Sequence, residues 1–318
     1  MDRRDLQARA RAARAADARR MAGRANPVAA LLRAMRPQQW LKNLLVFVPM
    51  LAAHALTAEA LIGSLFAFLA FSMCASSAYL LNDTLDAEHD RQHPVKRNRP
   101  IASGALAVPL ALSVSVVLAI FSLALSAWVE PWLLLVVSIY FVSTVMYSLW
   151  LKRLLMVDIV ALALLYCVRI IGGSAITHIE PSFWLLTFSF FLFLSLALLK
   201  RHSELINLLS KGATNTNGRG YTTHDKAPVA MMGVNSGFLS VLVVILYFNS
   251  PNVLVLYRHP MFLIGIVPLL VFWLGRLWTL SFRGQVNEDP LLYVSKDPVS
   301  IVIIVACLAL AGAATYQA

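Results

Sequence analysis

The 318-residue sequence predicts an all-α integral membrane protein of about nine transmembrane helices, and three observations carry that expectation. Hydrophobic residues make up 59% of the chain and charged ones only 14%, whereas a soluble domain carries about a quarter charged. Mean hydropathy is +0.71. Apolar stretches recur from residue 43 onward, and basic residues gather in every second connection between them.

A helix that crosses a bilayer needs about 20 mostly apolar residues. Spans are accordingly expected over 41–56, 60–81, 106–128, 131–151, 155–177, 181–199, 229–249, 261–281 and 299–316. The first is short and opens on Trp40 and Lys42, an interfacial anchor pair. Nearly all lysines and arginines fall in the N-terminus, the 82–105 loop, the Lys152-Arg153 turn, and the 200–228 and 282–298 loops. The alternate connections (57–59, 129–130, 178–180 and 250–260) carry only Arg258. This predicts a cytoplasmic N-terminus and an outward C-terminus.

The net charge of +11 could point to nucleic acid, but its distribution argues against it. Eight arginines lie within the first 24 residues and most other basic residues in loops, as for a chain held against anionic lipid headgroups. Membrane lipid is the expected partner, and no nucleic acid. Residues 1–32 read as a basic cytoplasmic extension, either a helical tail or partly disordered, and 33–318 as one membrane domain. Cys74, Cys167 and Cys307 are widely spaced and apolar in setting, so they are expected to pack as small apolar residues.

The segment NDTLDAEHDRQHPVKRNRPIASG, residues 82–104, concentrates the chemistry. Four of the sixteen acidic residues lie within eight positions: Asp83, Asp86, Glu88 and Asp90. Asn82, Asp86 and Asp90 repeat every four residues, so a helix continuing from the second span places all three on one face. Asp83 borders that face and Glu88 points to solvent. Hard oxygen donors at a membrane surface suit Mg²⁺, which takes one or two carboxylates plus substrate phosphates. Arg91, Lys96, Arg97 and Arg99 follow at once and could neutralise phosphate oxygens that the metal does not reach.

Other charges fall where burial is expensive. Asp158 and Arg169 lie within the fifth span, eleven residues or about 16 Å apart on one face. Ionisable residues inside a span are functional candidates. Alternatively, Asp158 pairs with Lys152 or Arg153, and Arg169 caps carbonyls near Gly172-Gly173. Arg276 is expected to snorkel from the eighth span. At the end of the sixth, Lys200, Arg201 and Glu204 could hold a phosphate headgroup, with His202 read as a surface residue.

Asn82-Asp83-x-x-Asp86-x-x-x-Asp90 followed by Lys96-Arg97-x-Arg99-Pro100 resembles the first aspartate-rich motif of the UbiA superfamily of intramembrane prenyltransferases. RPQQWLKN, from Arg36 to Asn43, and YSLWLKR, from Tyr147 to Arg153, match further landmarks in the same order. The resemblance covers residues 33 to 316 and implies helices around a central cavity open to lipid, with a catalytic domain over 33–318.

Members that use a prenyl diphosphate carry a second aspartate-rich motif after helix six. Here that position reads KRHSEL, with Glu204 its only acid. The chain is in this respect similar to the decaprenyl-phosphate phosphoribosyltransferase branch, which implies phosphoribosyl pyrophosphate as donor, polyprenyl phosphate as acceptor and Mg²⁺ as cofactor. By that resemblance Asn82, Asp86 and Asp90 hold the metal, with Asp83 and Asp90 supporting catalysis. Lys42, Tyr79, Lys96, Arg97 and Arg99 grip the donor. Tyr147, Lys152, Lys200, Arg201 and Glu204 serve the lipid phosphate, and Asp158 and Arg169 stay candidates. The product would feed lipid-linked D-arabinose at a bacterial inner membrane, for a cell-envelope glycan or a rhizobial nodulation-type oligosaccharide. Two rivals remain open: a prenyltransferase acting on an aromatic acid, which needs a second acidic cluster, and a transporter, which needs charge at the midplane.

Overall fold

The computed structural model describes residues 26–92, 96–210, 212, 220–286 and 289–315. Residues 1–25 of the expected basic extension and most of the segment from 211 to 219 lie outside that set. Among the described residues eight helices are long and apolar enough to cross a membrane: Ala58–Leu85, Val108–Val129, Pro131–Leu149, Val157–Thr177, Phe183–Ser210, Thr223–Phe248, Pro260–Phe282 and Pro298–Thr315. The chain is an integral, multi-pass membrane protein.

The expected span 41–56 is where the structure departs from the reading. It winds as a 3₁₀ helix over Pro37–Phe47 and then as a five-residue α-helix, Val48–Ala52. Arg36 before it and His54 after it both adopt positive φ, 55° and 54°. Pro49 cannot donate a backbone N–H and stands where the 3₁₀ winding gives way to the α-helix.

Several boundaries follow from local chemistry. Asn26 accepts the amide of Val28 at 3.0 Å, with Pro27 as the first residue of helix Pro27–Met35. Glu130 is extended, the conformation favoured before proline, and separates helix Val108–Val129 from Pro131–Leu149. Asp297 caps the last helix, accepting both the amide and hydroxyl of Ser300 at 2.9 and 2.7 Å.

The chain divides into two compact units, one comprising the sequence up to Asn43 together with Phe66–Val145, the other Leu44–Leu65 and everything from Met146. The first is held partly by serines. Ser115 donates to the Ser77 carbonyl at 2.8 Å, and Ser122 to the Ala70 carbonyl at 2.7 Å. Small residues let the two helices approach closely, which matters where lipid supplies no hydrophobic drive. Helix Pro27–Met35 buries Ala30 and Ala34 against Leu80, Ile101 and Leu106 in the same unit.

The second unit packs helices Val157–Thr177, Phe183–Ser210, Lys226–Phe248 and Ile266–Phe282 around one apolar core that includes Phe193, Leu198, Trp273 and Trp278. The indole of Trp278 donates to Ser195, whose hydroxyl donates to the Gly233 carbonyl, at 3.1 and 2.7 Å. A Cβ on Gly233 would lie 2.2 Å from the Trp278 ring, so glycine is required for that approach. Cys74 and Cys167 are buried and all three cysteines are free thiols.

Candidate active site

The acidic segment belongs to the first unit. Helix Ala58–Leu85 and helix Ala87–Gln92 are joined at Asp86, whose amide still bonds the Asn82 carbonyl, while Asp90 bonds that of Asp86, both at 2.9 Å. The four-residue spacing therefore carries through the junction as α-helical geometry. Asn82 and Asp86 are half-buried one turn apart, and Glu88 is exposed as expected.

Asp83 and Asp90 are more deeply set, 2% and 3% exposed, and each is bound to guanidinium. One Arg36 nitrogen donates to both Asp83 oxygens at 2.7 Å. Arg99 bridges the two acids, 3.1 Å from Asp83 and 2.7 Å from Asp90. Lys96 reaches Asp90 at 4.0 Å, and Arg97 is exposed beside it. The Arg36 guanidinium also lies over the Tyr79 ring, 4.9 Å from its centroid. Lys42 is buried in this unit.

Arg36 is the residue that the sequence reading missed. Its only sequence signal is its place at the head of RPQQWLKN, 47 positions before its partner. Asp83, read as bordering the working face, lies instead at the centre of the ion-pair network.

Asn82 and Asp86 offer hard oxygen donors one helical turn apart, a donor set that fits one Mg²⁺ completed by phosphate and water. Among the described residues no three His, Cys, Asp or Glu side chains converge into a ready-made metal cluster.

A second charged cluster belongs to the second unit. Asp158, fully buried, accepts from Arg201 at 2.5 Å and from the Tyr221 hydroxyl at 2.6 Å. Arg201 also binds Glu204, and its guanidinium faces the Tyr221 ring at 5.0 Å. Asp158 thus pairs with Arg201 rather than with Lys152 or Arg153. Burial, then the hydrogen bond to Asp158, pushes the Tyr221 phenol above its ordinary pKa, so it stays protonated. Lys200 bonds Asp289 at 3.3 Å, and Tyr147 and Lys152 are half-buried.

Arg169 is 6% exposed, donates to the Leu165 carbonyl of its own helix and packs 5.4 Å from the Tyr166 ring. One expectation needs correction. His202, read as a surface residue, is fully buried, with Nδ1 2.8 Å from the Ser281 hydroxyl. One position beyond Arg201 it has turned about 100° and faces helix Ile266–Phe282. Arg276 reaches Asp297, just before the last helix, and grips it with two nitrogens at 2.7 and 2.9 Å. Burial opposes the charge on Asp297, yet the hydrogen bonds from Arg276 and Ser300 win and hold its carboxyl below the usual range.

An apolar cavity of about 540 Å³ lies at the other end of this unit's helices, lined by Trp184, Phe188, Tyr247, Tyr257, Leu263 and Cys307 among others. Its walls suit hydrocarbon rather than a polar ligand.

The family model described as the UbiA prenyltransferase family matches residues 44–296. The chain belongs to that family. Solved structures agree on the fold of this UbiA-family chain. A UbiA homologue from Archaeoglobus fulgidus, bound to DMAPP and Mg²⁺, superposes with a TM-score of 0.67 over 89% of this chain and 98% of its own, at 18% identity.

Among relatives in sequence, the Sinorhizobium fredii protein y4nM is 34% identical over 87% of this chain and 54% of its own length. The chain therefore spans about half of that relative. Nodulation protein NoeC of Azorhizobium caulinodans is 33% identical over 85% of this chain and 88% of its own. A decaprenyl-phosphate phosphoribosyltransferase of Mycobacterium tuberculosis is 40% identical over 57% of this chain and 62% of its own.

Proposed function

We propose that this UbiA-family chain transfers a 5-phosphoribosyl group from phosphoribosyl pyrophosphate to a polyprenyl phosphate, with Mg²⁺ as cofactor. One observation carries the reading. Asn82 to Asp90 form an acidic cluster beside Arg36, Lys96, Arg97 and Arg99, whereas in KRHSEL, at the end of the sixth expected span, the only acid, Glu204, is bound to Arg201. That charge inventory suits one metal-bound diphosphate and one separate phosphate. The mycobacterial relative named for this reaction supports it.

Mg²⁺ held by Asn82 and Asp86, with Asp90 in reserve, would supply the positive charge that stabilises departing pyrophosphate. Lys42, Tyr79, Lys96, Arg97 and Arg99 bind and orient the donor. Arg99, bridging Asp83 and Asp90, is placed to transfer its guanidinium from carboxylate to phosphate as the donor arrives. The bond from ribose C1 to pyrophosphate breaks, its electron pair leaving with pyrophosphate. A lipid phosphate oxygen forms the new bond to C1. The acceptor is already an anion, so no general base is required, and catalysis rests on positioning and electrostatics. Lys152, Lys200 and Tyr147 serve the lipid phosphate. Asp158, Arg169 and Arg201 are too deeply buried and engaged to meet it and act as supports.

On this reading the acidic face is cytoplasmic in a bacterial inner membrane, residues 1–32 lie at its surface, and the product feeds lipid-linked arabinose for an envelope glycan or a secreted oligosaccharide. The test is incubation of purified protein with radiolabelled phosphoribosyl pyrophosphate, polyprenyl phosphate and Mg²⁺. Label in the lipid phase is the expected result. Transfer instead from a prenyl diphosphate to an aromatic acid would sink the proposal. Solute flux in proteoliposomes that survives Asp86→Ala would turn the reading to transport.

A further inference from the structure

Tyr221 stands in the segment before helix Lys226–Phe248 and is 1% exposed, although no metal, donor or lipid role was expected of it. Its hydroxyl makes two bonds at once. The proton goes to Asp158 at 2.6 Å, and an oxygen lone pair accepts the Met156 amide at 2.9 Å. Met156 has φ 64°, ψ −33°, a backbone shape that a long L side chain rarely adopts, so the surrounding structure must hold it there. Gly220 adds a second, independent contact. A Cβ there would lie 3.1 Å from the Arg153 carbonyl and 3.4 Å from the Leu155 amide, so the 220–221 backbone runs directly against the 153–155 turn. The other end of the device is fixed too, because Asp158 is clamped by buried Arg201.

We infer that Tyr221 is a positioning residue which pins the Lys152-Arg153 turn to the Asp158–Arg201 pair, and so sets where Lys152 meets the phosphate of the acceptor. The inference rests on the transfer reaction proposed above for its second half only. Its first half concerns a backbone amide and holds whatever the acceptor is. A phenol kept protonated by burial is suited to this work, since it keeps its donor proton across the physiological range.

Tyr221→Phe keeps the ring over Arg201 and removes both hydrogen bonds. In the full-length protein in lipid nanodiscs, hydrogen–deuterium exchange should rise about 5–10-fold over residues 151–157, the loss expected of one buried hydrogen bond. KM for polyprenyl phosphate should rise by a similar factor, while kcat and KM for phosphoribosyl pyrophosphate stay within about twofold. Gly220→Ala should shift the same two readouts in the same direction and by less, which keeps the test decisive should Tyr221→Phe fold poorly. Unchanged exchange in the turn would overturn the anchor. Faster exchange with an unchanged acceptor KM would overturn the link to Lys152. Faster exchange in a protein whose parent transfers no phosphoribose would leave the anchor standing and overturn the functional reading alone.

Discussion

The two charged clusters use the same chemistry in opposite ways. In the first unit Asp83 and Asp90 are buried, but their partners Arg36 and Arg99 keep 23% and 27% of their side chains exposed. In the second, Arg201 is 1% exposed and Asp158 not at all. An arginine with one side in water can leave a carboxylate for a phosphate at modest cost. One sealed with its carboxylate cannot, because either charge left alone in the interior is severely penalised. The first cluster is therefore built to exchange partners and the second to stay shut.

The largest test of that contrast is Arg201→Met, which strands Asp158. We expect a loss of about 3–5 kcal/mol, read as a collapse of the melting temperature in detergent. Adding Asp158→Leu should restore much of it, and failure of that rescue would mean that the pair is not a sealed one. Next comes Asp86→Ala, which should leave melting unchanged but cut phosphoribosyl transfer about 100–1000-fold. A melting shift as large as that of Arg201→Met would erase the distinction between the clusters.

Arg99→Lys keeps the charge but loses the bridge between two acids, and about a tenfold fall in kcat/KM for the donor is expected. Acidification probes a third pair, Arg276–Asp297. The Asp297 carboxyl sits below its unfolded value, so its contribution is complete above about pH 4 and is lost as pH falls through the lower folded value. Melting temperature followed from pH 6 to 3 should fall less in Asp297→Asn than in the parent. Smallest is Glu88→Gln, exposed and outside both clusters, which should change stability by under about 0.5 kcal/mol and leave transfer intact.

Eight long helices were legible because a bilayer imposes a length and an apolar count that few other constraints match. In the 41–56 segment apolar count gives no helix type, and the structure winds it as 3₁₀ through Phe47 and as α-helix from Val48 to Ala52. In the acidic loop the four-residue repeat gave the shared face of Asn82, Asp86 and Asp90, since spacing along one helix is local information. Arg36 was invisible because its contact with Asp83 depends on packing between distant segments. Lys200, Arg201 and His202 read as one polar run, yet successive helical residues point about 100° apart. Depth then separates them: Lys200 reaches Asp289, Arg201 goes to Asp158, and His202 goes to Ser281. The Asp297 partner of Arg276 was not legible, because it lies 21 positions further along the chain.

The serine seam of the first unit carries a thermal consequence. Contacts made by expelling water weaken on cooling, since that driving force is largely entropic. Ser115 and Ser122 instead join their helix to the Ser77 and Ala70 carbonyls by direct bonds in a medium that holds no water to expel. That seam should keep its strength in the cold, when the lipid around it stiffens.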